Sequence, residues 1–184
     1  MALFTGKGDD GTTKTFACDQ RRSKNSFVSE ALGNVDELNS LLGLVKVKSG
    51  ETKHEVAGKS FSDIVNNVQQ NLFIVQAELA GSDMRISEEK VKEVEEIVNA
   101  AETKMPPIKN FFVSGGTELA SLFDFSRTVA RRAERRVIAA HENGDPAISK
   151  FTLAYLNRLS SLLYALARLT NNLAGIAEDK PGYR

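Results

Sequence analysis

The stretch F-T-L-A-Y-L-N-R-L-S-S-L-L-Y-A-L-A-R-L-T-N-N-L, Phe151 to Leu173, has apolar side chains at Phe151, Tyr155, Leu159, Leu162, Leu163, Leu166, Leu169 and Leu173. Steps of three and four residues predict a helix, and the apolar positions cover more than one of its sides. Such a helix is either central in a bundle or shared with another subunit. The turn H-E-N-G-D-P before it predicts Asp145 as N-cap and Pro146 at the first helical position. The helix should run to about Ala174, before Gly175.

Working outward, the same periodicity recurs along the chain. Val28, Leu32, Val35, Leu38, Leu42 and Val45 predict a helix from about Phe27 to Lys48. The polar stretch S-G-E-T-K-H-E-V-A-G-K interrupts it. Phe61, Ile64, Val68, Leu72, Val75 and Leu79 predict a second helix ending before Gly81. Val91, Val94, Ile97 and Ala101 mark a third, from near Ser87, that Pro106 and Pro107 close. A fourth spans about Glu118 to His141. No strand is expected, so the predicted fold is all-α: an up-and-down bundle of five helices over residues 27–176. A polar, flexible segment, residues 1–26, precedes it, and the 184 residues fit one domain.

Composition narrows the function classes. Lys plus Arg equal Asp plus Glu at 24 each, so no global field draws nucleic acid or a membrane surface, and functional charge must be local. The single Cys18 fits a reducing compartment. Without a signal peptide or a spanning apolar run, a cytoplasmic protein is expected.

Chemistry concentrates in three places. In T-G-K-G-D-D-G-T-T, Thr5 to Thr13, Gly6 and Gly11 have the spacing of a phosphate-binding P-loop, but Thr12 stands where that motif needs lysine. Glycine N–H groups, threonine hydroxyls and Lys7 still make it an anion-binding candidate, set against a plain flexible terminus. In S-R-T-V-A-R-R-A-E-R-R, Ser126 to Arg136, Arg127, Arg131 and Glu134 share a ~60° sector, and Arg132 points about 140° from Arg127. That helix is a solvated ion-paired face, a nucleic-acid stripe or a polyanion site. In A-L-G-N-V-D-E-L-N-S, Ala31 to Ser40, Gly33 suggests close approach of a neighbour. Asp36 there is either a surface carboxylate or one half of an interface ion pair. F-F-V-S-G-G-T, Phe111 to Thr117, either plugs the bundle end or supplies an aromatic wall. One Glu-x-x-His, Glu51 and His54, lacks the second copy a di-iron bundle needs.

Taken in order, T-G-K-G-D-D-G-T-T, Lys24, G-N-V-D-E-L-N-S, S-G-G-T, S-R-T-V-A-R-R-A-E-R-R and Y-L-N-R-L-S closely resemble the PduO-type ATP:cob(I)alamin adenosyltransferases. The resemblance extends to about Thr170. It implies five-helix subunits in homotrimers, with active sites between neighbours. It also implies transfer of the 5′-deoxyadenosyl group of ATP to cob(I)alamin, giving adenosylcobalamin and triphosphate.

By the resemblance, Thr5, Gly6, Gly8, Asp9, Asp10, Gly11, Thr12 and Thr13 belong to an ATP-binding N-terminus, with Lys24 a further phosphate ligand. Lys7, Arg127, Arg131, Arg132 and a Mg²⁺ ion suit the triphosphate. Glu134 matches a glutamate associated with ATP and metal, and Asn157 another nucleotide contact. Asp36 matches an aspartate that pairs with an arginine of the next subunit, Arg132 being the expected partner. Phe111, with Phe112 its adjacent rival, resembles a phenylalanine against the lower face of the corrin. Ser114 and Asp124 depart from the family pattern, where proline and, in many relatives, histidine stand. A cobalamin reductase and an adenosylcobalamin-dependent enzyme are conceivable partners. The competing reading is a non-catalytic helical-bundle nucleotide-binding or adaptor protein.

Overall fold

The computed structural model describes residues 3–15, 20–144 and 146–183. Cys18 and Asp145 lie outside them. Five helices carry the fold: α1 (Phe27–Gly50), α2 (Phe61–Leu79), α3 (Glu88–Thr103), α4 (Glu118–Glu142) and α5 (Lys150–Leu173). Four begin with a side-chain cap. Ser26, Ser60, Thr117 and Ser149 each accept a hydrogen bond from the backbone N–H three residues on, filling one of the donors that a helix start leaves open.

α1 packs between α2 and α4, and α5 packs between α4 and α3. The α1–α4 pair is antiparallel, since Glu30 meets Arg136 at one end and Lys48 meets Glu118 at the other. A buried network closes the ring. Asn71 of α2 donates to the Tyr155 hydroxyl of α5 at 3.2 Å and accepts from Lys90 of α3 at 2.5 Å. Burial pushes the Tyr155 phenol well above its ordinary pKa.

α5 is central within its own chain. From Leu162 to Asn171 only Tyr164 is not fully buried. The first of the two readings of its two-sided apolar surface therefore holds, with no second subunit needed to cover it.

α5 starts at Lys150 under Ser149, four residues after the expected start at Pro146. The cause is a buried carboxylate. Glu78, at the end of α2, accepts from the Ser149 N–H at 2.6 Å and from the Thr152 hydroxyl at 2.5 Å, and Arg85 lies 3.1 Å from it. An anion at a helix N-terminus satisfies its open donors and favours that first turn over one formed earlier.

Strands are present after all, in two short antiparallel pairs: β1 (Thr12–Thr13) with β2 (Arg22–Ser23), and β3 (Glu55–Val56) with β4 (Lys59–Ser60). The second lies inside the polar stretch between α1 and α2. Ala57 and Gly58 both take left-handed backbone, as a two-residue hairpin requires, and Val56 is driven into the core. No helix among the described residues is long and apolar enough to cross a membrane.

Candidate active site

Side chains of α4 and α5 meet in rungs along their antiparallel seam. At the first rung Asp124 pairs with Arg168. At the second the Arg127 guanidinium lies 5.7 Å from the centre of the Tyr164 ring. At the third Arg131 stands across from Ser160 and Ser161 on the wall of one cavity. At the fourth Asn157 Nδ2 donates to Glu134 Oε1 at 3.0 Å. The 3.6-residue period that placed Arg127, Arg131 and Glu134 in one sector is what aligns them with a single face of α5.

The cavity measures about 840 Å³ and takes in the first three rungs. The loop carrying Phe111 and Phe112 forms its second wall, and Lys180, Pro181 and Tyr183 of the C-terminal stretch its third. Both walls are fastened to α5. Asn171 donates to the Gly115 carbonyl at 2.9 Å and to Glu178 at 2.7 Å, and accepts from the Thr117 N–H at 3.0 Å. The Val113 N–H donates to the Asp179 carbonyl at 2.8 Å.

The two phenylalanines divide. Phe111 is 77% exposed and lines the cavity. Phe112 is half-buried, with its ring 5.8 Å from the Arg168 guanidinium. Both rings line the cavity, so the aromatic-wall reading of this loop fits, with Phe111 the open face and Phe112 also covering a buried cation.

The arginines divide as well. Arg132 turns away from the cavity: its Nε donates to Asn34 at 3.0 Å and its Nη2 pairs with Glu37. Arg131 has no hydrogen-bond or ion-pair partner among the described residues and is exposed at the cavity wall. An unpaired guanidinium beside a partly apolar cavity is the arrangement that recognises an anion. The Tyr164 phenol, lying between Arg127 and Arg168, is held protonated to higher pH, chiefly by burial.

Residues Thr5–Thr13 fold on themselves. The Lys24 ammonium donates to the Gly8 carbonyl at 2.8 Å, and the Lys24 N–H to the Gly11 carbonyl at 2.9 Å. A Cβ on Gly8 would lie 3.1 Å from the Thr12 carbonyl oxygen and 3.2 Å from Lys24 Nζ, so a side chain there would crowd this loop. Asp10 accepts from both the N–H and the hydroxyl of Thr12, at 2.9 and 2.6 Å, and the hydroxyl bond chiefly lowers its carboxyl pKa. Neither these residues nor Lys24 line the cavity of Arg127 and Arg131. Asp36 is exposed on α1, with Gln76 at 3.5 Å. A Cβ on Gly33 would meet nothing within 4 Å, so no neighbour among the described residues explains that glycine.

Sequence reasoning passed over Tyr164, Arg168, Glu178 and Lys180. The signal for Arg168 was in plain view, a cation in the longest apolar run of the chain, where burial demands paired charges.

A sequence model of cobalamin adenosyltransferases matches residues 3–170. The chain is 37% identical, over 91% of its length, to the corrinoid adenosyltransferase PduO of Citrobacter freundii, and spans about half of that relative. It is 36% identical to the corrinoid adenosyltransferase of Bacillus subtilis, covering 97% of this chain and 91% of that one. In three dimensions it matches a phenylalanine-to-histidine variant of a PduO-type ATP:corrinoid adenosyltransferase from Lactobacillus reuteri, complexed with cobalamin and ATP. The TM-score is 0.86 at 29% identity, over 98% of this chain and 96% of that one.

Proposed function

The chain belongs to the cobalamin adenosyltransferase family, and we propose that it transfers the 5′-deoxyadenosyl group of ATP to the cobalt of cob(I)alamin. The observation that carries the reading is the cavity itself, where the open guanidinium of Arg131 and the exposed ring of Phe111 face the same 840 Å³. The Co(I) lone pair attacks C5′, the C5′–O bond breaks, and its electrons leave with triphosphate. No protein nucleophile or general base is consumed. The protein's task is to hold C5′ in line with cobalt and to stabilise charge on the leaving group.

Arg127 and Arg131 stabilise the leaving triphosphate. Glu134, steadied by Asn157, offers one carboxylate. That suits Mg²⁺, which takes most of its shell from water and phosphate oxygens. Thr5–Thr13 and Lys24 cradle the nucleotide. Because they do not line the cavity of their own chain, a complete site is built between two copies. A homotrimer with sites between neighbours meets that need. Its contact face is the outer side of α1, where Leu44, Val47 and Asp36 are exposed, flanked by Phe73 of α2 and Phe125 of α4. Pairing of Asp36 with Arg132 of the next copy requires Arg132 to exchange its half-exposed partner Glu37 for that carboxylate.

The test is an anaerobic absorbance assay with chemically reduced cob(I)alamin, ATP and Mg²⁺. Loss of the Co(I) band with growth of a light-sensitive adenosylcobalamin spectrum is the expected result. Folded protein that binds ATP and leaves Co(I) untouched would instead mark a nucleotide-binding bundle without the transfer activity.

A further inference from the structure

Asp124 lies between two guanidiniums. Its Oδ1 accepts from Arg127 Nε at 3.2 Å, and its Oδ2 accepts from Arg168 Nη2. Asp124 and Arg168 are 3% and 2% exposed, whereas Arg127 reaches the cavity wall. Both guanidiniums lie against Tyr164, Arg168 with its centre 5.1 Å from the ring centroid. Glu178 stands 2.9 Å from the remaining terminal nitrogen of Arg168, an ion pair without hydrogen-bond alignment.

We propose that Asp124 is a positioning residue for Arg127: its carboxylate, anchored by the buried Arg168, fixes the Arg127 guanidinium against Tyr164 and leaves the two terminal nitrogens for the cavity. This deepens the adenosyltransferase reading and rests on it. An arginine held only at its backbone samples many rotamers, and the cost of ordering it then falls on ligand binding. Gripping Nε and setting the guanidinium beside a ring removes that freedom in advance and leaves the two terminal nitrogens unused. A buried carboxylate could not do this alone, because its charge would be uncompensated. Arg168 supplies the counter-charge from below. Glu178 and Phe112 cover the rest of Arg168, so it is Arg127 and not Arg168 that reaches the ligand.

A double-mutant cycle tests this, with kcat and KM for ATP and cob(I)alamin measured in the parent protein, Asp124→Asn, Arg127→Met and the double variant. Asp124→Asn keeps the size of the side chain and should lower kcat/KM by roughly tenfold alone, and by less than about twofold once Arg127 is methionine. If Asp124→Asn does not fold, Asp124→Glu keeps the charge for Arg168 while moving the acceptor, and should show the same dependence on Arg127. Equal losses with and without Arg127, or unchanged kinetics, would overturn the proposal. Should the parent bind ATP and leave cob(I)alamin unalkylated, the transfer reading fails by itself. The cycle on ATP dissociation constants then decides, coupling supporting the positioning role and additivity refuting it. A parent that binds neither substrate overturns both.

Discussion

The side chain of Asn171 fills the space that a Cβ on Gly116 would need. Built there, that carbon would lie 2.4 Å from Asn171 Oδ1, and Gly116 has a φ of +98°. Both facts forbid a side chain, and the contact joins the Phe111 loop to the end of α5.

Gly116→Ala should therefore cost about 2 kcal/mol or more, from positive-φ strain together with displacement of Asn171. Thermal denaturation measures the loss. Because the same shift moves the wall carrying Phe111, the KM for cob(I)alamin should rise in whatever fraction remains folded.

Arg131→Ala removes an exposed, unpaired cation, so its unfolding free energy should stay within about 0.5 kcal/mol of the parent. Turnover should fall by roughly two to three orders of magnitude, the range seen when one preorganised charge-stabilising group is deleted. Near-parental kcat would remove Arg131 from its assigned role.

Phe111→Ala and Phe112→Ala should separate cleanly. Truncating the exposed Phe111 should leave the melting temperature unchanged and slow corrinoid alkylation. Truncating Phe112 uncovers the Arg168 guanidinium and should cost about 1 kcal/mol of stability. Reversed phenotypes would reassign the corrin contact.

Asp10 gives a pH dependence. Its folded pKa is lowered from an ordinary 3.8. The contribution of the Asp10–Thr12 turn is therefore fully present above that value and lost as pH falls through the lower, folded one. The Thr12 amide should be more protected, relative to its intrinsic exchange rate, at pH 7 than below the folded pKa of Asp10, without global unfolding. Asp10→Asn should make that protection, though not the raw exchange rate, independent of pH over the same interval.

Glu78→Ala leaves the Ser149 N–H and the Thr152 hydroxyl without acceptors in a closed site. A loss of roughly 3 kcal/mol is expected. Fraying of the first turn of α5, read by amide exchange, would locate the damage.

Much of the fold was legible because amphipathic periodicity is a local property. α2 runs from Phe61 to Leu79 as its apolar steps indicate, and the other helices end within a few residues of expectation. What escaped was non-local. The start of α5 depends on Glu78, about 70 residues upstream, and no pattern near Pro146 encodes it. The strands of the Glu55–Ser60 hairpin offer only Val56 as apolar content, too little for alternation to show. At the site, helical geometry alone separated Arg132 from Arg127 and Arg131. It could not say that Arg132 would be taken by Asn34 and Glu37, nor that Arg168 would lie beneath the cavity, since both depend on which helices become neighbours.

The rungs between α4 and α5 constrain how relatives of this chain can diverge. All four lie on one rigid helix pair, so sliding either helix by a turn of about 5.4 Å would displace the phosphate end and the aromatic end together. A one-residue insertion between rungs in either helix turns every rung beyond it about 100° off the seam. Length changes that spare the rungs are thus confined to segments outside the register, and within residues 104–117 and beyond 173 to stretches other than those that carry the Phe111 wall and the bonds of Asn171.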